Sequence, residues 1–360
     1  GQQSSAKNTT GTGNVIVGKS ALHENTTGNE NTGIGHKVLN ANTTACYNTG
    51  IGACALLCNT TGNQLVANGF RALTKNTTGS ENTASGAYAL SCNTTGCENT
   101  AFGRKSLCKN TTGHNNAAFG QASLANNETG IENVAVGNRA MVLNSTGCWN
   151  TAVGAKALCA NTTANYNTAV GGCSLMVNTT GAQNTAVGYK ALAANTCGNC
   201  NTGIGYRALA TNTTGSTNTA TGRNALQANT TGSRNTVSGY RAARGNTTGS
   251  NNTVMGTRSL YFNTTGGNNS AFGDWALRGN TTGSQNTASG YKALYANTTG
   301  ACNVASGMCA LVANTTGFSN VAMGPWTLGS TTTGSYNTGI GRSAGFSNTT
   351  GCFNTALGHE

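Results

Sequence analysis

Glycine stands at every seventeenth position of this 360-residue chain, from Gly1 through Gly18, Gly35 and Gly52 to Gly358, with no insertion or deletion among its twenty-two members. Strict self-similarity at a short period marks stacked repeats, in which each unit buries its apolar face only against its neighbours. Numbering the repeat from Asn8 as phase 1, its commonest form is N-T-T-G-S-x-N-T-A-V-G-Y-K-A-L-x-A, nearly complete from Asn178 to Leu192. Seventeen residues are too few for a helix-turn-helix repeat, which needs about 33. The unit is also rich in Thr, Asn and Gly, which favour strands and turns over helix.

Glycines at phases 4 and 11 divide the unit into three short segments, each expected to be extended. Phase 4 is Gly except at Ala45 and Ala164. Phase 11 admits no side chain, which predicts positive φ or a backbone pressed against the next coil. Phase 9 is Ala or Gly apart from Ile16, Val237 and Val254, so it is expected to point into a thin core, with Ala-Leu at phases 14 and 15 as the main apolar content. No isolated coil with so small a core would offset its ordering entropy. Stacking about 4.8 Å apart changes that balance, because asparagines at phases 1 and 7 then lie above one another and can join in amide ladders. The predicted fold is all-β: a parallel β-solenoid of about 21 coils, 17 residues per coil, running over residues 1–360 as one continuous element without separate domains.

Only 8% of residues are charged and there is a single proline, Pro325. Such a composition suggests a disordered low-complexity segment, but disorder does not require Leu at phase 15 in nearly every copy. No apolar run approaches the length of a membrane span. Register holds from Gly1 to Glu360 with no atypical capping copy. Open solenoid ends are sticky edges, so the expectation is continuation, by further repeats or by head-to-tail stacking of subunits into a filament, with lateral packing in a trimeric fibre through the phase 10 rank (Val153, Val170, Val187, Ile204) as a second candidate contact. That rank either faces outward or meets the opposite wall of its own coil.

Three residue patterns invite chemistry. The first is the glycosylation acceptor N-x-[ST], present at phase 1 in nineteen of twenty-one copies: Asn8, Asn25, Asn42, Asn59, Asn76, Asn93, Asn110, Asn127, Asn144, Asn161, Asn178, Asn212, Asn229, Asn246, Asn263, Asn280, Asn297, Asn314 and Asn348. Phase 3 stays Thr where phase 2 drifts, as in Asn127-Glu-Thr129 and Asn144-Ser-Thr146, which keeps the acceptor. Phase 7 is almost as regularly Asn without being an acceptor, which favours a plain ladder. Dense glycosylation, N-linked or on the neighbouring Thr hydroxyls, therefore stands beside a structural reading.

The second pattern is cysteine. Of fourteen, Cys97 and Cys108 occupy phases 5 and 16, and Cys148 and Cys159 repeat them three coils later. Cys46 and Cys58 nearly copy the arrangement. Recurrence at matched phases predicts disulfides within a coil, in an oxidising compartment, each contributing about 3 kcal/mol by chain entropy. Cys197 and Cys200 form a C-x-x-C, but without a second pair at zinc-ribbon spacing a disulfide is favoured over a metal. Buried free thiols serving as small apolar fillers are the alternative.

The third pattern is basic. Half of the twenty Lys and Arg fall at phase 13, including Lys37, Arg71, Lys105, Lys190, Arg207 and Lys292, in a chain of net charge +12. Such a stripe attracts polyanions, yet no nucleic-acid module accompanies it, and a solvated face is the simpler reading. Tyr189, Tyr206, Tyr240 and Tyr291 stand beside it at phase 12. For catalysis there is little: His23, His36, His114 and His359 fall at three phases, the acids are scattered, and pieces such as Gly33-Ile-Gly35 lack the rest of a dinucleotide motif. Neither an enzyme nor a cofactor is expected.

The N-T-A-V-G runs at Asn150–Gly154 and Asn184–Gly188, with the N-T-T-G pieces, resemble the Asn- and Gly-punctuated repeats of phage tail fibres and the heads of trimeric autotransporter adhesins. The adhesin unit is shorter than 17 residues and seldom carries this much cysteine. The resemblance implies an elongated extracellular or virion-surface fibre and transfers no binding residue. The sequence thus predicts a structural fibre subunit, glycan-coated. The alternatives are a receptor-binding fibre and an ice-binding solenoid, the latter set back by adjacent Thr-Thr in place of a T-x-T rank.

Overall fold

The computed structural model describes residues 1–359 and contains strands and turns, with no helix among them. None is therefore long and apolar enough to cross a membrane. The chain forms two compact units, Gly1–Ala182 and Gln183–Glu360. The first holds ten strands of three residues, β1 (Val15–Val17) to β10 (Thr168–Val170). The second holds eleven, β11 (Thr185–Val187) to β21 (Thr355–Leu357). Within each unit every strand pairs in parallel with the next, and the partner is the residue one repeat away: Val15 with Thr32, Thr100 with Ala117, Thr202 with Thr219, Thr338 with Thr355. Each unit is a parallel β-solenoid with one repeat per turn.

Phases 8 to 10 form the strand, and its burial alternates as a pleated strand requires. In the strand Thr168–Val170, Ala169 is fully buried while Val170 is exposed. The core is a column of phase 9 Ala against phases 14 and 15, with Ala72, Leu73, Ala84, Ala89 and Leu90 all at 0% exposure. Where phase 14 is Ser, the buried hydroxyl donates to the phase 11 carbonyl: Ser106 to Gly103 at 2.8 Å, Ser174 to Gly171 at 2.8 Å.

Both readings of the phase 11 glycine hold. Gly103 has φ 126°, and a Cβ there would lie 2.6 Å from the Gly120 carbonyl oxygen. The expectation of three extended segments is corrected. Only one segment is a strand, and phases 12 to 17 run as turns. The cause lies in the backbone, which takes the left-handed conformation at phases 6, 13 and 15, as at Glu98 (φ 58°), Lys105 (φ 60°) and Leu107 (φ 48°). Residues of that kind break an extended run. They also turn successive amides toward opposite neighbours: Lys105 N–H donates back to Ala87 O at 3.0 Å, Leu107 N–H forward to Ser123 O at 3.0 Å.

Candidate functional site

The regular coil turns each phase into a row, so any site on this protein is first a row of like residues. The phase 1 row is internal. Asn76 Nδ2 donates to Asn59 Oδ1 at 2.8 Å and to Gly79 O at 2.8 Å, and Asn229 does the same to Asn212 and Gly232 at 2.7 and 2.8 Å. Phase 7 builds a second ladder: the backbone N–H and the side-chain amide of Asn116 both donate to Asn99 Oδ1 at 3.1 Å. The two ladders meet at the phase 4 carbonyl, where Gly113 O accepts Asn110 Nδ2 at 2.8 Å and Asn99 Nδ2 at 2.9 Å.

This geometry weighs against the N-linked reading. An N-glycan replaces a hydrogen on Nδ2, and in these asparagines both hydrogens are donated inside the coil. Seventeen of the nineteen acceptors, from Asn25 to Asn314, are at 0% exposure. A sugar there would open both ladders. Asn8 and Asn348 keep some exposure, though each still bonds the carbonyl three residues on.

The structure does not show the expected disulfides either. All fourteen cysteines are free. In the proposed pairs the thiols engage different neighbours: Cys97 Sγ accepts from Ser80 N at 3.4 Å and donates to Thr95 O at 3.4 Å, whereas Cys108 Sγ lies 3.3 Å from Ser91 Oγ. Cys148 is held like Cys97, between Ile131 N and Thr146 O, while Cys159 is bonded to neither. Cys46 likewise contacts Asn29 N and Thr44 O, not Cys58. Among the described residues no group of three His, Cys, Asp or Glu is placed to hold a metal.

The free thiols differ in reactivity. Burial raises the pKa of Cys309 and Cys159, opposed by Lys292 in the first case and by Arg139 and Lys156 in the second. A raised thiol pKa lowers the thiolate fraction, the nucleophilic form. Iodoacetamide without reductant is therefore expected to label Cys197, Cys200, Cys302 and Cys352, all exposed, within the time that leaves buried Cys309 largely unmodified, and the lag should shrink as pH rises. Recovery of Cys97–Cys108 or Cys148–Cys159 as cross-linked peptides would contradict the free-thiol geometry.

The outer surface carries three further rows. The basic phase 13 row sits against aromatic rings: Lys190 Nζ is 5.3 Å from the Tyr189 ring centre, the Arg241 guanidinium 5.1 Å from Tyr240, and Lys292 Nζ 5.0 Å from Trp275. Its cations have little acid to pair with, since the ion pairs among the described residues are those of Glu24, with Lys7 at 2.6 Å and His23 at 2.8 Å. In the second unit this surface departs from the repeat. Arg244 donates to Gln227 Oε1 (3.0 Å) and Tyr261 Oη (2.9 Å), and Arg278 to Tyr295 Oη (3.1 Å), beside a cavity of about 310 Å³ lined by Arg244, Gly245, Tyr261 and Phe262.

The second outer row is the solvent face of the strand, phases 8 and 10. Sequence left the direction of phase 10 open; here it faces outward, with Ile34, Ile51, Phe102, Phe119, Ile204 and Phe272 all exposed and the Phe102 and Phe119 rings stacked at 5.4 Å. None of the 28 charged residues falls at phase 8 or 10 in any coil. The third row is phase 3, an exposed line of threonines whose hydroxyls the sequence already offered as alternative acceptors to the phase 1 asparagines. Neither the protein-family models nor the curated proteins give a match to this chain.

Proposed function

We propose that this protein is a structural subunit of an extracellular or surface fibre, and that its copies associate laterally through the outer face of the strand. The observation that carries the reading is that face, which points outward, is partly apolar and is free of charge over every coil of a chain with net charge +12. Like-charged chains repel, and on this apolar-bearing surface two copies meet without bringing their charges together. A three-residue strand spans about 10 Å and coils rise about 4.8 Å, so the ten strands of the first unit offer roughly 500 Å² per partner. Pairing two such faces reaches the ~1,000 Å² that marks a specific interface. Stiffness follows from a backbone bonded to the next coil at most of its polar groups.

The surface location rests on the resemblance to tail-fibre and adhesin repeats, because free thiols remove the argument from cross-links. A second reading, a binding fibre, draws on the Arg244–Tyr261–Arg278–Tyr295 stack, of which Arg244 and Tyr261 line a cavity. Ice binding fits less well, since the outer face pairs Thr with residues as different as Val170, Met255 and Phe102.

Sedimentation and negative-stain electron microscopy test the main reading. The protein is expected to form assemblies that grow with concentration and persist at high salt. A Val136→Lys, Val153→Lys variant, altered only on the outer face, should keep its circular dichroism spectrum and stay monomeric. A parent chain that remains a monodisperse monomer at high concentration would sink the proposal.

A further inference from the structure

Among the outward-facing phases, one does not drift. Phase 6 holds Glu30, Tyr47, Gln64, Trp149 and Arg234; phases 10, 12 and 13 vary as widely. Phase 3 is Thr in twenty of twenty-one coils, the exception being Cys197, and every one of those threonines is exposed. Free surface positions in a tandem repeat are expected to vary unless something holds them.

Internal bonding does not hold this one. The phase 2 hydroxyl is part of the coil: Thr77 Oγ1 donates to Thr94 O at 3.1 Å, and Thr94 Oγ1 to Thr111 O at 3.0 Å. Its phase 3 neighbours Thr78 and Thr95 are aligned in the same way along the stack, yet no hydrogen bond among the described residues involves a phase 3 Oγ1. The molecule thus keeps, once per coil, an accessible secondary hydroxyl that its own fold does not use. Phase 4 beside it is a small residue, Gly in all coils but those of Ala45 and Ala164 and buried away from the chain's ends, and it does not crowd the approach.

We propose that the phase 3 threonines are an acceptor row for O-linked glycosylation. A single row offers no pocket and no second polar rank for a ligand held by weak contacts, whereas a covalent bond needs only one free hydroxyl and space above it. The group is an uncharged sugar: coils about 4.8 Å apart would set phosphates on successive threonines in mutual repulsion. In the reaction Thr Oγ1 attacks the anomeric carbon of a sugar carried on a nucleotide or lipid phosphate. The carbon–oxygen bond to phosphate breaks as the glycosidic bond forms. The phosphate leaves with the electron pair, and the hydroxyl proton passes to a base of the transferring enzyme. This inference stands whether or not the coils associate.

Peptide mass spectrometry with electron-transfer fragmentation, on protein from its native source, tests it. Sugar mass is expected on Thr61, Thr78 and Thr95, absent from the phase 2 threonines and from Asn76 and Asn93, and released by alkaline β-elimination. Unmodified phase 3 threonines would overturn the proposal, including the case where the bare chain inhibits ice recrystallisation. Thr78→Val should unfold at the parent's denaturant midpoint while Thr77→Val unfolds earlier. Equal destabilisation by the two would show that folding alone holds phase 3, and would also overturn it.

Discussion

Replacing Asn110 by Ala is expected to destabilise its coil by roughly 3–5 kcal/mol, the cost of leaving two or more buried polar groups without partners. Asn110 Nδ2 reaches Asn93 Oδ1 and Gly113 O, both at 2.8 Å, and its own Oδ1 accepts Asn127 Nδ2 at 2.8 Å. Truncation strips Asn93 of a donor and Asn127 of an acceptor inside a region with no water access. The chain contains a natural case. Thr331 interrupts the ladder, and Asn314 Oδ1 below it is buried without a partner. Hydrogen exchange should locate the loss: amides of the coils on either side of Asn110 exchange faster, while distant coils keep parental protection, as nearest-neighbour stacking requires. Protection unchanged at Thr94 and Thr111 would show that the ladder adds nothing.

Ala220→Asp is expected to do more damage, at least about 4 kcal/mol, because an uncompensated charge enters a site with neither water nor partner. Ala220 is fully buried, in register between Gly203 and Val237. A Cβ placed on Gly203 would already lie 3.3 Å from Leu192 Cγ, so the column beside Ala220 is tightly packed with apolar groups. Ala220→Gly is the control. Other coils carry Gly at this phase, and the change should cost about 1 kcal/mol or less. Urea denaturation of the pair gives the comparison, and an Asp variant with the parental midpoint would refute the packing described for phase 9.

The invariant spacing made the coil legible, because a period that never slips leaves one turn per repeat as the simplest stacking. The small residues at phase 9 and Leu at phase 15 gave the core for the same reason. Three things were hidden. Left-handed backbone at Lys105 and Leu107 could not be read, since neither residue type favours that conformation and only glycine advertises it. The ladder role of the phase 1 asparagines was hidden because Asn, Thr and Thr together also spell a modification signal. The equal regularity of phase 7, which is no acceptor, was the available clue to a ladder. Matched cysteine phases misled differently: recurrence in a repeat shows that two positions are equivalent between coils, not that they approach within one.

Each coil in either unit meets the next through the same register, so Thr83 pairs with Thr100 as Thr202 pairs with Thr219. Seventeen residues removed from the interior of a unit, beginning at any phase, would rejoin the same strand, the same two amide ladders and the same core column. Copy number is therefore a nearly free genetic variable: unequal recombination between repeats can lengthen or shorten the molecule without disturbing its interior, while a gain or loss of any other size shifts every glycine out of phase. The unbroken spacing of the glycines is what selection against such frame errors would leave behind.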